Sequence, residues 1–152
     1  MKKEVVAAVL NASLQMQVSL TNGGKDWDKI TAPLYKAMSD DIKKQKKRLG
    51  GDFAIAHAVN TRVGRDLIRR EMGEDVVFIV LNLTPACQEA RIKVRHGDTV
   101  EGGMAEMFKE MMKLYDAAGE DEPQAHNLYI EEEDNPNMVL DKVLALIGHN
   151  KT

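Results

Sequence analysis

Residues 75–83 read "DVVFIVLNL", and after Asp75 the run carries no charge for eight residues. A short, valine-rich apolar run bounded by turns is the pattern of a parallel strand covered on both faces, since an antiparallel strand with one wet face alternates instead. Parallel strands cannot be joined by a hairpin and need a crossover, usually a helix. This one run therefore predicts helices on either side of it in the chain.

Those helices are legible. Thr84 is a good N-cap and Pro85 a good first residue for a helix over 85–96. Upstream, "DFAIAHAVNTRVGRDLIRR" (52–70) begins with Phe53, Ile55 and His57 alternating with alanines, which predicts a strand over 53–58. A helix over 61–72 follows and ends at Gly73. The N-terminal part reads as two helices, 3–20 and about Trp27 to Leu49, separated by "TNGG" (21–24). The second carries Ile30, Leu34, Met38 and Ile42 on one side and ends in "KKQKKR" (43–48) before Gly50-Gly51; the cations complement the helix dipole or form a phosphate site. Downstream, "HGDTVEGG" (96–103) is a loop, and Met104, Met107, Phe108, Met111, Met112 and Tyr115 form an apolar helical stripe suited to a core or a partner. "HNLYI" (126–130) is a third strand. A last helix starts at Pro136, puts Val139, Leu140, Val143, Leu144 and Ile147 on its apolar side, and ends at Gly148. Strands alternating with helices give an α/β fold: a three-layer arrangement with helices on both faces of a parallel sheet, strands 53–58 and 76–81 running parallel.

Composition narrows the function. A 152-residue chain with net charge −3 gives no overall reason to expect a nucleic acid partner, and its basic clusters are local. No stretch approaches the roughly 18 apolar residues of a membrane span. The apolar run of the first residues, Val5 to Leu10, is short and interrupted before it by Glu4, which reads as a helix and not a signal peptide. The single cysteine, Cys87, fits a reducing, cytoplasmic compartment and reads as a buried thiol. "NAS" (11–13) and "NLT" (82–84) fall inside predicted regular structure and do not read as glycosylation sites.

The candidate chemistry lies with arginine. Arg62, Arg65 and Arg69 are spaced i, i+3, i+7 on one helix face, with Asp66 within a turn of Arg62 and Arg69. Arg91 and Arg95 share a face just before the glycine-flanked loop. Guanidinium groups suit phosphate because they donate two parallel hydrogen bonds and stay charged; the alternative for each group is a solvated helix face with intrahelical ion pairs. His57, His96, His126 and His149 show no metal-ligand spacing.

In order along the chain, "GGDFAIAHAVNTRVGRDLIRREMGEDVVFIVLNL", "ARIKVRHGD" and "YDAAGEDEPQAHNLYI" resemble the P-loop small-molecule kinases, above all a gluconokinase-like branch, over about residues 35 to 148. The resemblance implies one kinase-like domain over 1–152: a helical acceptor-side region (1–50), a core (52–95), a short lid loop (96–103) and a C-terminal helix, strand and helix (104–152). It implies an ATP- and Mg²⁺-dependent phosphotransferase acting on a small hydroxyl substrate such as a sugar acid. Arg91 and Arg95 become catalytic lid arginines facing ATP phosphates, Arg62, Arg65 and Arg69 hold the acceptor, and Asn135 approaches the adenine. The family's phosphate loop, G-x-x-x-x-G-K-[ST] (Walker A), is missing together with its first strand, which belongs in the middle of the sheet. "GGKD" (23–26) does not replace it, because Asp26 stands where the Mg²⁺-binding hydroxyl belongs. The expectation is a truncated, inactive kinase-like chain, or a catalytically dead relative acting as a structural or protein-interaction component, with a protein partner or a second copy of itself pairing at an open strand edge.

Overall fold

In the chain turn at 22–26, Gly23 and Gly24 take left-handed backbone with φ of 67° and 80°. At φ 80° glycine is favoured at position 24, and any Cβ there would also displace the end of the Leu114 side chain. The computed structural model containing this turn describes residues 15–16, 18–73, 76–96 and 109–148, with the side chains of Arg95 and His96 outside that description. The predicted lid loop, most of the predicted first helix, and Met104, Met107 and Phe108 of the methionine stripe lie outside the described residues. The chain divides into two units, one formed by residues up to Val76 together with 103–116, the other by 77–102 and 117–152.

In the first unit, α1 spans Trp27–Leu49 and stops where Gly50, at φ 68°, donates its N–H to the Lys46 carbonyl. Both ends match the expectation from the glycine pairs. Its inward face differs from it. The fully buried row is Trp27, Thr31, Tyr35 and Ser39, while Ile30, Leu34, Met38 and Ile42 are only half-buried. Four-residue spacing runs equally well along two neighbouring rows of a helix, and the second helix selects the row that lets it approach closely. That helix, α2 (Arg62–Met72), packs on α1 through Gly64: a Cβ there would lie 2.8 Å from the Tyr35 ring. The Thr31 hydroxyl donates back to the Trp27 carbonyl at 3.0 Å, which makes a polar side chain tolerable in this seam.

Residues 52–60 form no strand. Phe53 and Ile55 are 41% and 51% exposed, and the segment is anchored near its end, where the Tyr35 hydroxyl reaches the Ala58 carbonyl and the Tyr35 ring meets His57 edge-on. The expected strand at 53–58, and with it the expected parallel run of 53–58 and 76–81 in one sheet, is thereby corrected. Alternating side chains stabilise a strand only where a neighbouring strand takes up the backbone N–H and C=O groups.

In the second unit, β1 (Phe78–Leu83) leads through Thr84 into α3 (Pro85–His96), and the Thr84 hydroxyl caps that helix by accepting from the Cys87 N–H at 3.1 Å. After it, β2 (Ala125–Ile130) pairs with β1 in parallel, from Phe78↔Ala125 to Leu83↔Ile130, and α4 (Pro136–Gly148) packs on β2. The fold is α/β with a small parallel sheet; among the described residues this sheet has two strands. Val80, Cys87, Leu128 and Ile130 are its buried apolar residues. Along α4, Val139 and Val143 are half-buried, whereas Leu140, Leu144 and Ile147 are exposed, so only one edge of the expected apolar side is turned inward.

Candidate functional site

Sequence spacing assigned two arginine groups to a phosphate or acceptor site, one in each unit. On α2, the Asp66 carboxylate accepts from Arg62 Nε at 2.9 Å and from Arg69 Nη1 at 2.6 Å, so one acid holds both guanidinium groups along the helix. Arg65, between them, is 1% exposed, and its Nη1 donates to the Asp116 carbonyl at 2.9 Å. Asp116 also accepts the Arg62 backbone N–H at 2.9 Å and donates its own N–H to the Asn60 carbonyl at 2.7 Å. It therefore completes the N-terminus of α2 beside the Thr61 cap, whose hydroxyl accepts from the Gly64 N–H and donates to Asp28 at 2.5 Å. The three arginines do share an element, as spacing predicted. Arg65 faces the interior, however, and serves as an internal tie.

In the second unit the candidate residues flank the chain that leaves β2. Arg91 on α3 donates from Nη2 to the Asp134 carbonyl at 2.9 Å. The Asp134 carboxylate is buried and accepts from Lys142 Nζ at 2.6 Å and from the Glu131 N–H at 2.9 Å. The Lys142 hydrogen bond, and after it the Glu131 N–H, hold the Asp134 carboxyl below the ordinary aspartate range. Asn135 is the N-cap of α4, its Oδ1 accepting from the N–H groups of Asn137 and Met138 at 3.0 and 3.1 Å. A cleft of about 330 Å³ opens here, lined by Cys87, Ala90, Arg91, Val94, Glu132 and Asp134. The backbone of Arg95 continues α3 one turn beyond Arg91.

No family model, no curated protein and no solved structure matches the chain. What the site can do must come from its own groups. One guanidinium, already bonded to the Asp134 carbonyl, lines the cleft together with the acidic residues Glu132 and Asp134. Asp134 is already paired with Lys142, so Glu132 is the acid left to offset the Arg91 charge at the cleft. Among the described residues no group of three or more His, Cys, Asp or Glu side chains gathers closely enough to hold a metal ion, and the sequence carries no phosphate loop to bind Mg²⁺ beside a nucleotide. A larger cavity, about 640 Å³, lies in the first unit between helical residues 18–21 and the start of α1, next to Lys25, Asp26 and Lys29, and no arginine lines it. Among the described residues no helix is long and apolar enough to cross a membrane.

Asp116 and Asp134 are the residues that sequence reasoning missed. Asp134 had a signal, standing at the end of an acidic run directly before a helix. Asp116 had none, since its partners lie 51 and 54 residues away.

Proposed function

We propose that these 152 residues form a catalytically silent, kinase-like protein that works by binding another protein and not by transferring phosphate. On this proposal the protein is a cytoplasmic relative of gluconokinase-like phosphotransferases, with a P-loop kinase-like, three-layer sheet and helices on both faces, lacking the first strand and the phosphate loop. One observation carries it. Each candidate residue whose side chain is described is engaged by the fold itself: Arg62 and Arg69 by Asp66, Arg65 by the Asp116 carbonyl, Arg91 by the Asp134 carbonyl, and Asn135 by the first turn of α4. A catalytic arginine must instead be preorganised toward where charge develops on the substrate. The parallel β1–β2 pair with α3 in its crossover supports the kinase-like ancestry, and the sequence without a phosphate loop supports the loss of activity.

The test is phosphotransfer from ATP with Mg²⁺ to a panel of sugar acids and small polyols, alongside calorimetry with ATP. The expected result is no turnover above the protein-free blank and no binding that Arg91→Ala removes. Turnover that disappears in Arg91→Ala or Arg95→Ala would overturn the proposal and restore the enzyme reading.

A further inference from the structure

Residues 52–60 run without helix, turn or bend, and 52–58 are exposed throughout. The N–H groups of Phe53 to Ala58 and the carbonyls of Asp52 to Ala56 have no hydrogen-bond partner among the described residues. The pattern Phe-Ala-Ile-Ala-His-Ala is that of a strand, so this is a strand without a sheet. The sheet has the converse feature. The Phe78 N–H donates to the Gln124 carbonyl, and in the register Phe78↔Ala125 this turns the N–H and C=O groups of Ala125, Asn127 and Tyr129 away from β1. Among the described residues no strand takes them up, and Tyr129 is 68% exposed. An open row of donors and acceptors is a template for another chain.

We infer that residues 53–58 of one copy of the chain add as a third strand along the outer edge of β2 in a second copy. The bare backbone sets the class of occupant. Its carbonyls need donors, which the phosphates that a cationic surface otherwise attracts do not offer, whereas another strand supplies donors and acceptors in alternation. Charge selects which strand. Residues 43–52 hold five cations and one acid, and Lys44, Lys46, Lys47 and Arg48 are exposed and without an ion pair among the described residues. From 117 to 141 the chain has eight acids and no Lys or Arg; Glu120 and Asp121 before β2, and Glu131, Glu132 and Glu133 after it, are exposed. Pairing 53–58 with its own counterpart would leave these charges unmatched, while β2 presents acid at both ends, whichever way the added strand runs. One added strand buries little surface, so the association is weak and depends on concentration. This contact rests on the protein-binding role proposed above, with the chain itself as partner, and not on kinase ancestry, so phosphotransfer and self-association are read out separately.

Sedimentation equilibrium of the full chain should give an average mass that rises above 17.0 kDa with concentration. Ala54→Pro and Ile55→Pro test the strand pairing, since neither N–H is bonded within the described residues of the single chain. An edge strand turns alternate N–H groups to its neighbour, and proline is tolerated on the outward side. One of the two variants should therefore weaken association at least tenfold and the other leave it nearly unchanged, both with the tryptophan-detected unfolding of the parent. Charge is tested by reversal. The triple variants Lys44→Glu/Lys46→Glu/Lys47→Glu and Glu131→Lys/Glu132→Lys/Glu133→Lys should each associate at least tenfold more weakly than the parent. An equimolar mixture of the two should recover association, because opposite charges meet again at the contact. A chain that stays monomeric at millimolar concentration overturns the inference. So do proline variants of equal effect, a Glu131/Glu132/Glu133 reversal that associates as tightly as the parent, or a mixture no tighter than either component.

Discussion

Gly64→Ala probes the seam between α1 and α2 with one added methyl group. At an open helical position the change stabilises, by about 0.4–1 kcal/mol, through helix propensity and a less flexible unfolded chain. At Gly64 the new Cβ would stand 2.8 Å from Tyr35 Cε2, 3.1 Å from Val59 Cγ1 and 3.3 Å from Thr61 Oγ1. Tyr35 is 2% exposed and its ring cannot swing away without disturbing the buried row of α1. Overpacking of a well-filled site costs about 1–3 kcal/mol, so the net expectation is a loss of about 1–2 kcal/mol. Trp27, the single tryptophan, is buried in the same unit, so urea unfolding followed by tryptophan fluorescence reports this unit selectively. Combining Gly64→Ala with Tyr35→Ala should show positive coupling, the methyl costing less once the ring is gone. A Gly64→Ala protein as stable as the parent, or more stable, refutes the close approach of the helices.

Arg65 and Arg62 should separate cleanly although they sit one turn apart. Arg65→Met leaves the Asp116 carbonyl without this donor and should cost about 1.5–3 kcal/mol, whereas Arg62→Ala breaks a solvent-accessible pair and should cost less than about 1 kcal/mol; tryptophan-detected unfolding of both variants checks the order. Asp134 gives a pH signature. Its folded-state pKa is depressed, so its contribution is present above the unfolded aspartate value of about 3.9 and is lost as pH falls through the lower folded value. The stability advantage of the parent over Asp134→Asn, measured by circular dichroism in urea, should be constant from pH 7 to 5 and shrink below about pH 4; an advantage that grows on acidification contradicts the Lys142 contact.

What could be read in advance was local. The ends of α1 are announced by glycine pairs, α3 by Thr84-Pro85, and the pairing of Arg62 and Arg69 with Asp66 by spacing alone, because each signal and its consequence lie within a few residues. The strand expected at 53–58 failed for the opposite reason: alternation is a local property, while a strand exists only with a partner elsewhere in the chain. The buried row of α1 was missed because Thr31 and Ser39 look unsuited to a core until Gly64 is known to pack beside them. For the arginines, sequence supplied the type and the face but not the direction of Arg65, which Asp116 decides from 51 residues away. The pairing of β1 with β2 was likewise beyond local patterning, although both runs were recognised as strands.

The first unit is discontinuous in the chain, and that has a consequence during synthesis. α2 emerges with its Thr61 cap and with α1 already made, but Asp116, which takes up the Arg62 N–H, follows 54 residues later. At about 5–20 residues per second the ribosome needs about 3–11 s to supply it. Throughout that interval the strand-and-helix segment from 77 onward is leaving the exit tunnel while the first unit still lacks its closing segment. Slowing translation between the emergence of α2 and the emergence of Asp116 from the tunnel lengthens the exposure of a half-finished unit.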